Sequence, residues 1–178
     1  MSLSDFASIT SVIGVLAVVV SLVYLNVQTR QNARHAMAAI QQGRSNQISD
    51  LILAMVADPS LVEAVVRGAA CDPAMSDIQV RRFTLWHTAL FYTLEDQYHH
   101  HRHGLIDDAR FSGLVASLKG IVTTPGWRAF WKMSDGRFDP GFHRWVDDVA
   151  AGESGKRPID TVAAWKTLAV DELAKISA

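Results

Sequence analysis

The residues with the clearest chemical potential form a histidine run. Four histidines occupy five consecutive positions from His99 to His103, soon after Glu95. On a helix, Glu95, His99 and His103 lie four residues apart on one face, so one carboxylate and two imidazoles could bind a single metal ion. A catalytic zinc site needs three protein ligands and one open position. This trio could therefore serve a metal-dependent enzyme.

A solvated helix end explains the same run without any metal. Protonatable side chains are favourable near the negative C-terminal end of a helix, and Gly104 follows at the position where helices often end in glycine. The sequence has no His-Glu-x-x-His motif and no second helix with a matching Glu-x-x-His set. We expect no metal and no cofactor, with the trio as the weaker alternative. Because imidazoles titrate near neutrality, a role in sensing pH stays open.

No other constellation points to catalysis. Glu95 lies at the edge of an apolar helix stripe, where we expect an ion pair with Arg44 or Arg81. His87 lies among apolar residues and is predicted to be a core histidine. The sequence contains neither a Gly-x-Ser-x-Gly elbow nor a phosphate loop. A protein without catalytic residues is therefore favoured over an enzyme.

The composition bounds the class of protein. The chain has 178 residues, of which 49% are apolar, so a packed core is expected. Its 17 basic and 18 acidic residues argue against binding nucleic acid through phosphates. Cys71 is the only cysteine, so no disulfide can form within the chain.

Helices must position these residues, because no stretch alternates apolar and polar side chains as a strand does. Asp58-Pro59 should end the first helix, and Ser60 and Ser76 should each begin a helix with a capping box. Thr124-Pro125 and Asp139-Pro140 each resemble a helix N-cap followed by proline. The expected segments are an N-terminal anchor (1–29), a helical bundle (30–151), a linker (152–158) and a C-terminal helix (159–178).

The first helix has the length and composition of a transmembrane anchor. From Phe6 to Val27 there are 22 residues without a charge, which as a helix would span roughly 33 Å, enough for a bilayer core of about 30 Å. No basic residue precedes the run, and the residues at its end, Asn26-Val-Gln-Thr-Arg30, contain no Ala-x-Ala, which argues against a cleaved signal peptide. We predict a single span in the lipid bilayer.

Positive charge predicts the orientation of this span. Arg30, Arg34 and Arg44 follow it, whereas no lysine or arginine precedes it. The positive-inside rule then places the N-terminus outside and the C-terminal domain in the cytoplasm. The predicted location is the inner (cytoplasmic) membrane.

Small residues mark one face of the predicted span. Thr10, Gly14, Ala17 and Ser21 recur at steps of three and four, a spacing that lets helices approach closely in lipid. This face predicts a homo-oligomer or contact with a membrane protein partner. The alternative is that the hydroxyls only bond back to their own helix.

The chain resembles a set of uncharacterised bacterial proteins with one N-terminal transmembrane helix and a small all-helical domain. The resemblance lies in the exit from the span at Tyr24-Leu-Asn-Val-Gln28, in Glu95-Asp-Gln-Tyr98 and in Thr124-Pro-Gly-Trp127. It implies an all-α fold in which the transmembrane helix continues into a small cytoplasmic helical bundle. It implies no reaction. The small-residue face, the helix that continues beyond the span and the lack of a catalytic constellation instead lead us to expect a membrane-anchored interaction or sensor module without its own catalysis. The alternative is a membrane-tethered metal enzyme that uses Glu95, His99 and His103.

Overall fold

Helices account for the regular structure of this protein. The structure is a computed structural model that describes residues 3–176, with the side chains of 14, 16–40 and 42–176. Within these residues it has seven helices and no strand. The helices are α1 (Leu3–Ala57), α2 (Pro59–Ala69), α3 (Asp77–Arg102), α4 (Asp108–Val122), α5 (Pro125–Met133), α6 (Pro140–Gly152) and α7 (Thr161–Ile176). The all-helical part of the predicted fold is confirmed.

The transmembrane part of the predicted fold gains no such support. Among the described residues, none of the helices combines the length and the apolar character that crossing a membrane requires. The predicted span, Phe6–Val27, lies only partly within the described part of the chain, because the side chains of 1–13 and 15 are outside it.

Capping side chains explain where most of the helices begin. Ser76 and Gln79 form the reciprocal capping box that the sequence predicts for α3. Thr124 caps α5 by accepting from the amide of Trp127, and Asp139 caps α6, with proline as the next residue in both helices. These predicted starts are confirmed, as is the helix end at Gly104, whose φ is +69°.

The predicted start of α2 is wrong by two residues. Asp58, rather than Ser60, is the N-cap residue, and its carboxylate accepts a hydrogen bond from the amide of Ser60. Pro59 fits this arrangement because the first helical position needs no amide donor. The side chain of Ser60 bonds instead to Asp58 and to Arg82 on α3. The Ser60–Glu63 spacing therefore does not act as a capping box.

The chain divides into two compact units, Met1–Gln47 and Ile48–Ala178. The helix of the first unit is α1 up to Gln47, and most of the described side chains there are exposed. The second unit contains the end of α1 and the remaining six helices. The predicted boundary between residues 29 and 30 rests on a membrane edge, so it stays a prediction.

An aromatic core fills the second unit. Phe91 on α3 is fully buried, and its ring lies 5.2–6.4 Å from five other aromatic rings. These rings come from α5, α6 and the connection between them: Trp127, Phe130, Trp131, Phe138 and Phe142. Buried aromatic side chains contribute large apolar areas, so this cluster is the main source of stability.

Helices α2 and α5 approach closely at two glycines. A Cβ atom at Gly126 would lie 1.8 Å from the carbonyl oxygen of Gly68, and one at Gly68 would lie 2.3 Å from the ring of Phe83. No larger residue fits either position without moving backbone or ring. This contact fixes α2 against α3 and α5.

Two further features of the second unit bear on function. Cys71, in the turn after α2, is exposed and has a φ of +54°, which is unusual for a residue other than glycine. Helix α7 has no buried residue, and Trp165 on the face predicted to be apolar is 69% exposed.

Replacement of Gly126 should reveal how much the unit depends on this close contact. We expect Gly126→Ala to lower the free energy of unfolding by about 1–3 kcal/mol, because the added methyl group must displace the backbone at Gly68. Urea denaturation in detergent solution measures the change. Gly120→Ala on α4 is the matched control, since nothing lies within 4 Å of its Cβ position. Equal stability of the two variants would contradict the tight contact.

Candidate functional site

Glu95 stabilises the connection between α5 and α6. Its Oε1 atom accepts a hydrogen bond from the backbone amide of Asp139, the N-cap residue of α6. Among the described residues no ion pair joins Glu95 to Arg81, so that form of the predicted pairing is wrong, whereas a pairing with Arg44, in the first unit, stays a prediction. The backbone amides of Phe142 and Gly141, in that order of effect, hold the pKa of the Asp139 carboxyl below its usual range.

The histidine run has several different environments. His103 is the exposed C-cap residue of α3, and the ring of His99 lies 5.4 Å from that of Tyr98. His101 lies parallel to Phe111 at a ring distance of 3.9 Å, and its Nε2 atom is 2.8 Å from Asp108. His101 therefore connects the end of α3 to the start of α4.

No candidate metal site emerges from these side chains. In the part of the chain that the structure describes, no group of three or more histidine, cysteine, aspartate or glutamate residues is placed to hold a metal ion. Glu95 is engaged by the amide of Asp139, whereas His103 lies exposed at the helix end. The structure thus does not bring Glu95, His99 and His103 together around one point.

The small-residue face of α1 is visible in part. Gly14, Ala17 and Ser21 are exposed, whereas the side chain of Thr10 lies outside the described residues. Ser21 donates a hydrogen bond of 2.8 Å to the carbonyl oxygen of Ala17, so its hydroxyl bonds back to its own helix. The space around Gly14 is open to 4 Å. A face of this shape leaves room for another helix.

Asp147 on α6 takes part in two hydrogen bonds, one to Trp131 on α5 and one within α6. Its Oδ1 atom accepts from Nε1 of Trp131 at 2.7 Å, and its Oδ2 atom lies 3.0 Å from Nδ1 of His143. The His143 ring also stacks on Trp131 at 4.4 Å. Because a carboxylate only accepts, Nδ1 of His143 carries a proton here, and the lone pair of the neutral ring is on Nε2.

A cavity of about 500 Å³ lies beside this cluster, between α5 and α6. Its walls include Trp127, Trp131, His143 and Asp147, with Arg128 and Lys132 as nearby cations. The Nε1 atom of Trp127 and the Nε2 atom of His143 are both buried without a hydrogen-bond partner in the described part of the chain. Both atoms are closed off from the cavity space, so the cluster acts as a clamp between helices.

His87 is the buried histidine that the sequence predicts. It is 5% exposed, and its ring lies between those of Phe83 and Phe130. Its Nδ1 atom is 2.9 Å from the carbonyl oxygen of Phe83. Burial lowers the pKa of His87 below its usual 6.5, and the hydrogen bond to Phe83 opposes this effect only in part.

His87 borders a groove along α2, α3 and α4. One part of the groove is a cavity of about 440 Å³ that His87 lines together with Trp86 and Leu90. The neighbouring part is a cavity of about 690 Å³ that continues along the connection to α7. The two parts share walls at Val65, Ala69, Thr124, Pro158, Ile159 and Thr161. They therefore form one continuous groove with mainly apolar walls.

Sequence reasoning missed both the Asp147 cluster and the groove. His143 and Asp147 are four residues apart on a predicted helix, which is a readable signal for a side-chain pair. The involvement of Trp131 and the presence of the groove depend on how helices pack, and the sequence has no pattern for either.

Comparison with known proteins adds no identification. No family model, no curated protein and no solved structure matches this chain.

The buried imidazole of His87 should make stability depend on pH. Its pKa in the folded protein is below the 6.5 of an ordinary histidine, so at intermediate pH the unfolded chain binds more protons. The contribution of the neutral His87 side chain to the free energy of unfolding is therefore complete above pH 6.5. It is lost as the pH falls from 6.5 towards the pKa of His87 in the folded protein. We expect wild type to lose more stability than His87→Leu across that window, by up to about 1.4 kcal/mol per pH unit.

Urea denaturation at a series of pH values tests this expectation. His103→Gln is the control, because this exposed side chain should leave the wild-type pH dependence in place. Parallel pH profiles for wild type and His87→Leu would refute the linkage.

Proposed function

We propose that this protein is a membrane-anchored helical interaction module without its own catalysis. The first part of α1 inserts into a lipid bilayer, and the helical domain that follows lies in the cytoplasm. The observation that carries the proposal is the exposed apolar surface of α1 between Leu16 and Val27.

The exposure of α1 supports lipid as the occupant of that surface. Nine large apolar side chains between Leu16 and Val27 are 49–67% exposed. Successive residues point in all directions around a helix, so these side chains form no single stripe that one partner helix would cover. The absence of charge from Phe6 to Val27 has the same implication.

The polar clusters of the helical domain support a role other than catalysis. Glu95 bonds to a backbone amide, Asp147 bonds to Trp131 and His143, and Asp108 bonds to His101. Each carboxylate therefore has a partner that joins one structural element to another. The side chains that resemble acid–base groups serve to position helices.

Self-association is the form of interaction that α1 favours. The open space at Gly14 and the small side chains of Ala17 and Ser21 lie on one face of the helix. Two helices in lipid associate through close packing, which small residues permit. A homo-oligomer formed along this face would bring several helical domains together at one membrane surface. The resemblance to bacterial proteins of this architecture accords with the proposal.

A charge at the centre of the predicted span should weaken membrane insertion. Leu16 lies midway between Phe6 and Val27 and is 58% exposed. We expect Leu16→Arg to disfavour insertion by about 2.5–3.5 kcal/mol, the cost of an arginine at a helix centre. The measured quantity is the fraction of protein that stays with membranes after alkaline extraction.

Met37→Arg is the control, since Met37 is an exposed residue of the same helix beyond the span. It should leave the protein in the membrane fraction.

A chain that begins at Asn32 should be released, and a C-terminal reporter that works only outside the cytoplasm should stay inactive. Retention of the shortened chain in the membrane fraction would argue against the anchor. An active reporter would argue against the predicted orientation.

A bulky residue at Gly14 should disrupt the oligomer. We expect Gly14→Ile to lower the crosslinked fraction in membranes at least several-fold, because the close approach of two backbones leaves no room for a side chain. Val23→Ile is the matched control, because Val23 lies half a helical turn away, on the opposite face. An unchanged oligomer in Gly14→Ile, or a monomeric wild type, would show that this face does not mediate association.

A further inference from the structure

The groove beside His87 has one chemical feature that its apolar walls do not explain. Nδ1 of His87 is bonded to the carbonyl oxygen of Phe83, which can only accept, so Nδ1 carries the ring proton. The neutral ring then has its lone pair on Nε2. No hydrogen bond to Nε2 exists within the described part of the chain, although 95% of the residue's surface is buried.

Nε2 of His87 is open to the groove. It is not fully enclosed by protein atoms. His87 lines the cavity of about 440 Å³. A buried imidazole that offers a lone pair to a mainly apolar space is an acceptor without a donor. Such a group contributes binding energy only when a ligand supplies the donor.

The hydroxyl groups of Ser117 and Thr124 do not supply the hydrogen-bond donor that Nε2 of His87 lacks. Ser117 donates to the carbonyl oxygen of Gly113, and Thr124 donates to that of Ile121. Both residues line the groove, but their hydroxyl protons are bonded to backbone carbonyl oxygens of α4. Towards a ligand these two hydroxyl groups therefore act as acceptors, which suits a ligand that donates, whereas the hydroxyl of Thr161, a third wall residue of the groove, donates to no residue that the structure describes.

We propose that this groove binds an apolar small molecule whose hydroxyl group donates a hydrogen bond to Nε2 of His87. The apolar walls at Trp86, Leu90 and Ile121 bury the body of the ligand, and His87 selects for the hydroxyl. The volume of about 440 Å³ accommodates a fused two-ring molecule, and the adjoining 690 Å³ accommodates a substituent. This binding activity is independent of the membrane anchor.

Two matched probes test the proposal on the full-length protein in lipid nanodiscs. The probes are 2-naphthol and 2-methoxynaphthalene, which have the same rings but differ in the hydroxyl proton. Equilibrium dialysis against empty nanodiscs gives the binding to protein alone. We expect wild type to bind 2-naphthol about 3–10-fold more tightly, as one hydrogen bond of about 1 kcal/mol implies.

Two variants separate the hydrogen bond from the groove itself. In His87→Leu the preference for 2-naphthol should disappear while both probes still bind. In Ser117→Phe the new ring occupies the groove and should weaken both probes. In wild type the ¹⁵N resonance of His87 Nε2 should shift with 2-naphthol but much less with the methyl ether, which tests the contact even if a variant misfolds.

Equal affinity of wild type for the two probes would overturn the role of His87. Absence of binding by both would overturn the small-molecule site altogether, and a helix such as α7 of a second copy would then be the better occupant. Loss of membrane anchoring would leave the result unchanged, so failure of this proposal is distinguishable from failure of the proposed function.

Discussion

The packing of other aromatic rings around Phe91 is the interaction on which the second unit depends. Helices α5 and α6 have 9 and 13 residues, too few for either to be stable alone in water. Both helices therefore require burial against α3, and Phe91 provides the surface on which they pack. The loop that contains Phe138 is fixed by the same ring.

The hydrogen bonds of Asp147 and Glu95 depend on that core, and they fix the helices around it in one arrangement. Asp147 on α6 can accept from Trp131 on α5 only because the core aligns the two helices. Glu95 reaches the amide of Asp139 because Phe91, one helical turn earlier on α3, contacts the neighbouring Phe138 and Phe142. Hydrophobic burial provides most of the free energy, and the directional hydrogen bonds select one arrangement.

Local sequence signals predicted helix boundaries well and long-range contacts poorly. Ser76, Thr124 and Asp139 mark helix starts because a cap involves atoms only two or three residues away. The partner of Glu95 is 44 residues distant, and nothing in either segment reveals the pairing. Asp58 and Ser60 show a local failure, since two adequate caps competed and the proline decided between them. The groove at His87 is a product of packing between helices.

The conformation of Cys71 has a practical consequence for studies of this protein in solution. It is the only thiol in the chain, and it is exposed in the short turn between α2 and α3. A spin label or fluorophore attached there would report on one defined position in the natural sequence. Since Cys71 is three residues beyond Gly68, which packs against Gly126 of α5, the mobility of such a label would report on the packing of α2 against α5.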